Sequence, residues 1–159
     1  MEYFTLARVI HVIAVILWVG GVSMVTTVLI PAIKRMKSKE EQIKTFETIE
    51  GKFAIQAKVT TLLTGLSGFY MLYELNAWNR YFDYRFWWIH TMTLVWIIFT
   101  LILFVLEPLI FHRVFKKHAH KNPEKTFEIM HKFHWVLLII SLITTAGAVA
   151  ESHGWFWLK

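Results

Sequence analysis

Four stretches of this chain stay apolar for about 20 residues or more, which is the length that crosses a bilayer as a helix. They cover 6–30, 53–75, 86–110 and 135–157. The runs are continuous rather than alternating, so spanning β-strands are excluded and four helices are predicted. The expected fold is all-α: a four-helix transmembrane bundle, one integral membrane domain over 1–159.

Local signals place the connections. Asn122, Pro123 and Glu124 read as a helix start, with an Asn cap, a proline at the first helical position and an acid in the first turn. Ile43, Phe46, Ile49 and Phe53 recur at helical spacing among charges, predicting an amphipathic helix at the surface or an extension of the second span. Pro108 should disturb the third helix near its end. The first segment lacks a basic leader and a small-residue cleavage pattern, so it is expected to stay in the protein as a span.

Charge orients the bundle. Lys34, Arg35, Lys37, Lys39, Lys44 and Lys52 follow the first span, and Arg113, Lys116, Lys117, Lys121, Lys125 and Lys132 lie between the third and fourth. The connection between the second and third holds only Arg80 and Arg85, with Asp83. Basic loops remain cytoplasmic, so both termini are expected outside a multi-pass protein of the inner (plasma) membrane. The net charge of +6 follows from these loops. It calls for the lipid bilayer and its anionic headgroups as partners, not nucleic acid. A homo-oligomer or a subunit of a membrane complex is compatible with this pattern.

Histidine carries the candidate chemistry. His11, His90 and His153 fall near the outer ends of three spans, while His112 and His134 fall near the inner ends of two. Ionisable side chains at such depth usually face a bundle interior and mark a site, and imidazole is a common ligand for iron, copper and zinc. His11 and His90 are the expected ligands of a haem or metal, with His153 the substitute and His112 with His134 a second site. His118, His120 and His131 are read as loop or juxtamembrane residues. The chain has no cysteine, so any haem is b type, held without a covalent link. Arg8 and Arg85 are expected to meet its propionates, with Arg80 nearby, and Trp18 to line the site. Lys58 and Glu107 lie at one depth on different spans and are expected to pair. Gly20, Gly21, Gly65, Ser67, Gly68, Ser141, Thr145 and Ala148 are small and allow close helix approach.

The run through Arg8, His11, Trp18, Gly20 and Gly21 resembles the first span of copper-resistance-D-like membrane proteins and of HemJ-type protoporphyrinogen oxidases. The segment from Thr64 to Gly68 is similar to the second span of the former group. The resemblance implies b-haem binding with His11 as ligand. A lysine typical of the HemJ-type third span is replaced here by His90, which implies bis-histidine ligation. The basic-Asn-Glu-x-Pro pattern before the last span is absent, so oxidase activity ranks behind haem binding. The leading expectation is a haem protein in electron transfer or other membrane redox chemistry, with an unidentified donor or acceptor. Copper handling comes second and porphyrinogen oxidation third.

Overall fold

The computed structural model describes residues 2–115 and 122–155, with 109–115 by backbone alone. Every regular element among the described residues is helical. α1 (Glu2–Met24) runs through a wider π turn, Val25–Leu29, into α2 (Ile30–Lys34). α3 (Lys39–Glu74) follows, then two 3-10 turns, Ala77–Phe82 and Tyr84–Phe86. α4 (Trp87–Leu101) continues in π form over Ile102–Phe115, and α5 (Pro123–Ser152) closes the chain.

Proline explains both wide segments. Pro31 has no N–H for the carbonyl four residues earlier, at Thr27, and its ring crowds that carbonyl. The turn before it relaxes to i→i+5 bonding, with the Ile30 N–H reaching the Val25 carbonyl. Pro108 does the same to the carbonyl of Phe104, inside the second wide stretch. The helix starts are capped. Asn122 Oδ1 accepts from the Lys125 N–H at 3.2 Å, and Ser38 Oγ accepts from the Glu41 N–H at 3.3 Å. The Ser38 cap with Glu41 three residues on makes 39–52 the first part of one continuous α3.

Among the described residues, three helical segments are long and apolar enough to cross a membrane: Glu2–Lys34, Tyr84–Pro108 and Pro123–Ser152. α3 differs because Gln56, Lys58, Thr60, Thr61, Thr64 and Ser67 dilute its hydropathy. Four of these, Thr60, Thr61, Thr64 and Ser67, are buried. From residue 55 to residue 66 its large apolar side chains point the other way, and Ile55 and Leu66 are 67% and 69% exposed. This stretch of α3 is therefore polar inside and apolar outside, the reverse of a helix on a water-soluble protein.

The long helices pack in a ring. α1 lies along α3, with Gly21 against Phe53 near one end and Gly68 against His11 toward the other. α4 meets α3 where Trp96 Nε1 donates to the Thr61 carbonyl at 2.9 Å. α5 meets α4 at Gly147 and Trp87, and meets the α1 extension where His131 Nε2 sits 2.9 Å from the Thr26 carbonyl. The start of α1 and the end of α5 share one end of the ring, and α2 and the start of α5, with their basic residues, share the other. A core of Val25, Leu29, Ile30, Ile33, Phe46 and Phe127 closes the basic end. A second core around Trp18, Val22, Phe99, Leu103 and Leu138 fills the middle. The expected pair of Lys58 and Glu107 is present at 2.5 Å and ties α3 to the α4 extension.

Close approach depends on glycine at Gly65, where an added Cβ would lie 2.5 Å from the Trp96 indole nitrogen. Gly65→Ala should displace that indole and lower stability by about 1–3 kcal/mol, the usual range for overpacking. Thermal unfolding in detergent checks this, with Gly20→Ala as the control because nothing lies within 4 Å there.

Candidate functional site

His11 is half-buried between α1 and α3. Its Nδ1 lies 2.9 Å from the Thr64 carbonyl and 3.1 Å from Ser67 Oγ. A carbonyl only accepts, so Nδ1 carries the hydrogen and donates. Ser67 in turn donates to the Leu63 carbonyl, leaving its oxygen free to share the His11 N–H. With Nδ1 fixed as the donor, Nε2 of a neutral ring holds the lone pair that a metal needs. Gly68 makes room for this, since a Cβ there would be 3.2 Å from His11 Cε1.

The remaining histidines sort by which nitrogen is engaged. His134 Nδ1 lies 2.9 Å from the Met130 carbonyl and His153 Nδ1 lies 2.8 Å from the Val149 carbonyl. Both therefore keep Nε2 available, as His11 does. His90 is different: Nδ1 faces the Phe86 carbonyl at 3.1 Å and Nε2 faces the Tyr81 carbonyl at 2.9 Å. Its ring packs edge-on to Tyr81, with centroids 5.6 Å apart, in an aromatic group that continues through Trp78, Phe69 and Trp96. His131 Nε2 faces the Thr26 carbonyl at 2.9 Å, where it can only donate. His118 and His120 lie outside the described residues, and so does the side chain of His112.

Register sets the depths. Ser67 stands beside His11, and the Trp96 contacts with Thr61 and Gly65 put Ser67 level with about residue 92 of α4. His90 is thus within about 3 Å of His11 along the helix axes. The depth match expected from sequence is present, but the rings are held by different elements, His11 by α3 and His90 by the 3-10 turn. His153 lies at the end of α5, about two turns further out. Among the described residues, no three His, Asp or Glu side chains come close enough together to hold a metal ion.

The other expected site residues are divided. Arg8 is exposed, with its guanidinium 4.9 Å from the centre of the Phe4 ring. Arg85 is held by Asp83 through Nη2 at 2.6 Å and Nε at 3.0 Å, which keeps the Asp83 carboxyl below its ordinary range. Trp18 is buried edge-on against Phe99 at 4.7 Å, and its Nε1 has no hydrogen-bond partner. His153 borders a shallow apolar groove of about 590 Å³ on α5, lined by Leu142, Ala146, Val149 and Trp155.

A second group of charges, at the basic end, was legible in sequence only as the pair Lys58 and Glu107. Glu50 belongs with it, just before the second apolar run. Burial raises the Glu50 carboxyl to about 7, the nearby Glu107 and Glu47 carboxylates add to this, and Lys58 opposes it. Glu47 and Glu50 resemble solvated residues in a charged stretch. The available signal was their spacing, which continues the face of Ala54, Ala57 and Thr61.

No family model, curated protein or solved structure matches the chain.

Raising the Glu50 pKa means that folding favours its neutral form. That contribution is full below the ordinary carboxylate range and is lost as pH rises through about 7. The thermal midpoint should therefore fall between pH 5 and pH 8 in wild type and fall less in Glu50→Gln. Parallel pH profiles for the two proteins would contradict the assignment.

Proposed function

We propose that the chain is a four-span protein of the plasma membrane, with both termini outside, that binds b-type haem through His11 and serves membrane redox chemistry. The observation that carries this reading is the His11 ring, whose Nδ1–H is anchored on α3 by Thr64 and Ser67 while Nε2 stays free. Metal-bound histidines characteristically have this second hydrogen bond, which fixes the ring and raises its basicity. The resemblance of the first span to haem-binding membrane families supports the same residue. The four-span topology is supported by the two basic connections and by the outward apolar face of α3.

The donor set fits a haem with one protein ligand. His11 supplies the imidazole, and Arg8, one turn toward the termini, is the exposed cation available to a propionate. Arg85 is already neutralised by Asp83. His90 becomes a second ligand only by giving up the Tyr81 carbonyl, and the aromatic group around it opposes that movement. Bound haem would supply one-electron redox chemistry, while the protein fixes the ligand's tautomer and restricts water at the buried Ser67 side. Copper handling stands second, because a copper site wants several convergent ligands and the described residues bring no three together.

The purified protein should show the visible bands of a b haem. His11→Ala should abolish them, while His90→Ala and His153→Ala should leave haem bound with its spectrum unchanged. Loss of low-spin character in His90→Ala would instead establish the bis-histidine pair. A colourless wild-type protein that binds copper would replace the haem reading altogether.

A further inference from the structure

The connection between α3 and α4 turns large apolar side chains outward. Phe82 is 93% exposed, and Leu75, Trp78 and Tyr84 are exposed as well. Aromatic residues presented at the end of a span mark the boundary between hydrocarbon and water. On its inner side the same connection is firmly held. Trp78 stacks on Phe69 and on Tyr81, with ring centres 6.2 and 6.3 Å apart. The Tyr81 hydroxyl meets Thr93 Oγ1 at 2.7 Å, and the Tyr81 carbonyl faces His90 Nε2 at 2.9 Å. These contacts fix the shape of whatever the connection presents outward.

It presents a mostly polar pocket of about 350 Å³, walled by Asn76, Asn79, Arg80, Asp83, Arg85 and Phe86, with Leu75 beside them. Asn76 takes the left-handed backbone, at φ 48°, that turns the chain after α3, and its side chain makes no capping bond. The Arg80 guanidinium carbon stands 5.0 Å from the centre of the Phe86 ring. Stacking of this kind fixes the plane of a guanidinium and leaves its N–H edge free. Among the described residues, Arg80 meets no carboxylate at ion-pair distance. Asp83 takes Nε and Nη2 of Arg85 and leaves the Nη1 edge open. The Asp83–Arg85 pair is neutral, so the pocket keeps one net positive charge, that of Arg80.

We propose that this pocket binds the phosphodiester of a membrane phospholipid, with Arg80 and Arg85 donating to its oxygens and its acyl chains against Leu75 and Phe82. A phosphodiester carries one negative charge, which matches the one unpaired guanidinium. Guanidinium edges suit phosphate oxygens, and the side-chain amides of Asn76 and Asn79 supply further donors. Free phosphate offers the same oxygens. The surrounding residues favour the lipid as the source, because Phe82, Leu75 and Tyr84 gain nothing from a water-soluble anion and are covered when the phosphate belongs to a headgroup. The site rests on this end of the ring meeting a bilayer surface and is independent of haem.

The test uses the full-length protein in a maltoside detergent, which contains no phosphate. The sequence has no cysteine, so a bimane fluorophore on Phe82→Cys reports from beside the pocket alone. Phosphatidylglycerol with brominated acyl chains, which quenches bimane on contact, is titrated in. Its quenching should saturate, whereas brominated diacylglycerol, which lacks the phosphate, should give only shallow quenching without saturation. Arg80→Met should weaken the saturable binding about tenfold, the usual cost of losing a bond to a charged group. Asn79→Asp, at an exposed position, should weaken it similarly by repulsion, and it decides the matter if Arg80→Met does not fold. Thr48→Asp, which adds the same charge toward the other end of α3, should leave it unchanged. Equal quenching by diacylglycerol, wild-type binding in the folded pocket variants, or equal weakening by Thr48→Asp would each overturn the proposal. Inorganic phosphate that displaces the lipid at equal concentration would overturn the lipid as the source. Protein that stays soluble and monodisperse once detergent is removed would overturn the bilayer reading itself, a result distinct from loss of lipid binding.

Discussion

Two carbonyl oxygens on α3 hold the helices in place, and two glycines make those oxygens reachable. In an α-helix the carbonyl of residue i points toward residue i+4, so a side chain at i+4 partly covers it. Gly65 stands four residues after Thr61, and Gly68 stands four after Thr64. Each leaves its carbonyl open on one side, and a donor from another helix occupies the opening. Trp96 reaches Thr61 from α4, and His11 reaches Thr64 from α1. A carbonyl has two lone pairs, so neither bond requires α3 to give up its own ladder. In a low-dielectric surrounding such bonds are stronger than in water, and an indole or imidazole left without one would be costly.

This arrangement joins architecture to chemistry. The bond that docks α1 on α3 is the same bond that sets the His11 tautomer and leaves the Nε2 lone pair free. Nearer the other end of α3, Lys58 pairs with Glu107 of the α4 extension, and their charges neutralise each other across the helix interface. Removing either partner would strand the other in a mostly apolar setting. From residue 55 to residue 66, α3 turns its hydroxyls toward the other helices and its large apolar side chains outward.

Much of this was legible in the residues. The apolar runs gave the helices, Asn122 and Pro123 gave the start of α5, and equal depth gave the Lys58–Glu107 pair. The likeness in depth of His11 and His90 was also readable from spacing. What spacing could not show was the direction of each ring, because rotation about a helix axis and the path of a connection decide which carbonyl an imidazole meets. His90 turns to Tyr81 because the 3-10 turn brings that carbonyl over it, and no periodicity in the apolar run records the turn. Glu50 was hidden for a related reason. Charge in a mixed stretch reads as solvated until the neighbouring helix, here carrying Glu107, covers it.

The central claim is that α3 crosses the membrane with its polar face turned inward, and the absence of cysteine from the sequence makes it directly testable. Single cysteines placed in turn from residue 55 to residue 68, each carrying a spin label in reconstituted protein, report access to dissolved oxygen and to a water-soluble nickel chelate. The account predicts high oxygen access and little nickel access at Ile55, Leu62 and Leu66, with both low at Thr61, Thr64 and Ser67, in a helical period. Nickel access along the Ile55–Leu66 face would place that face in water and contradict the account.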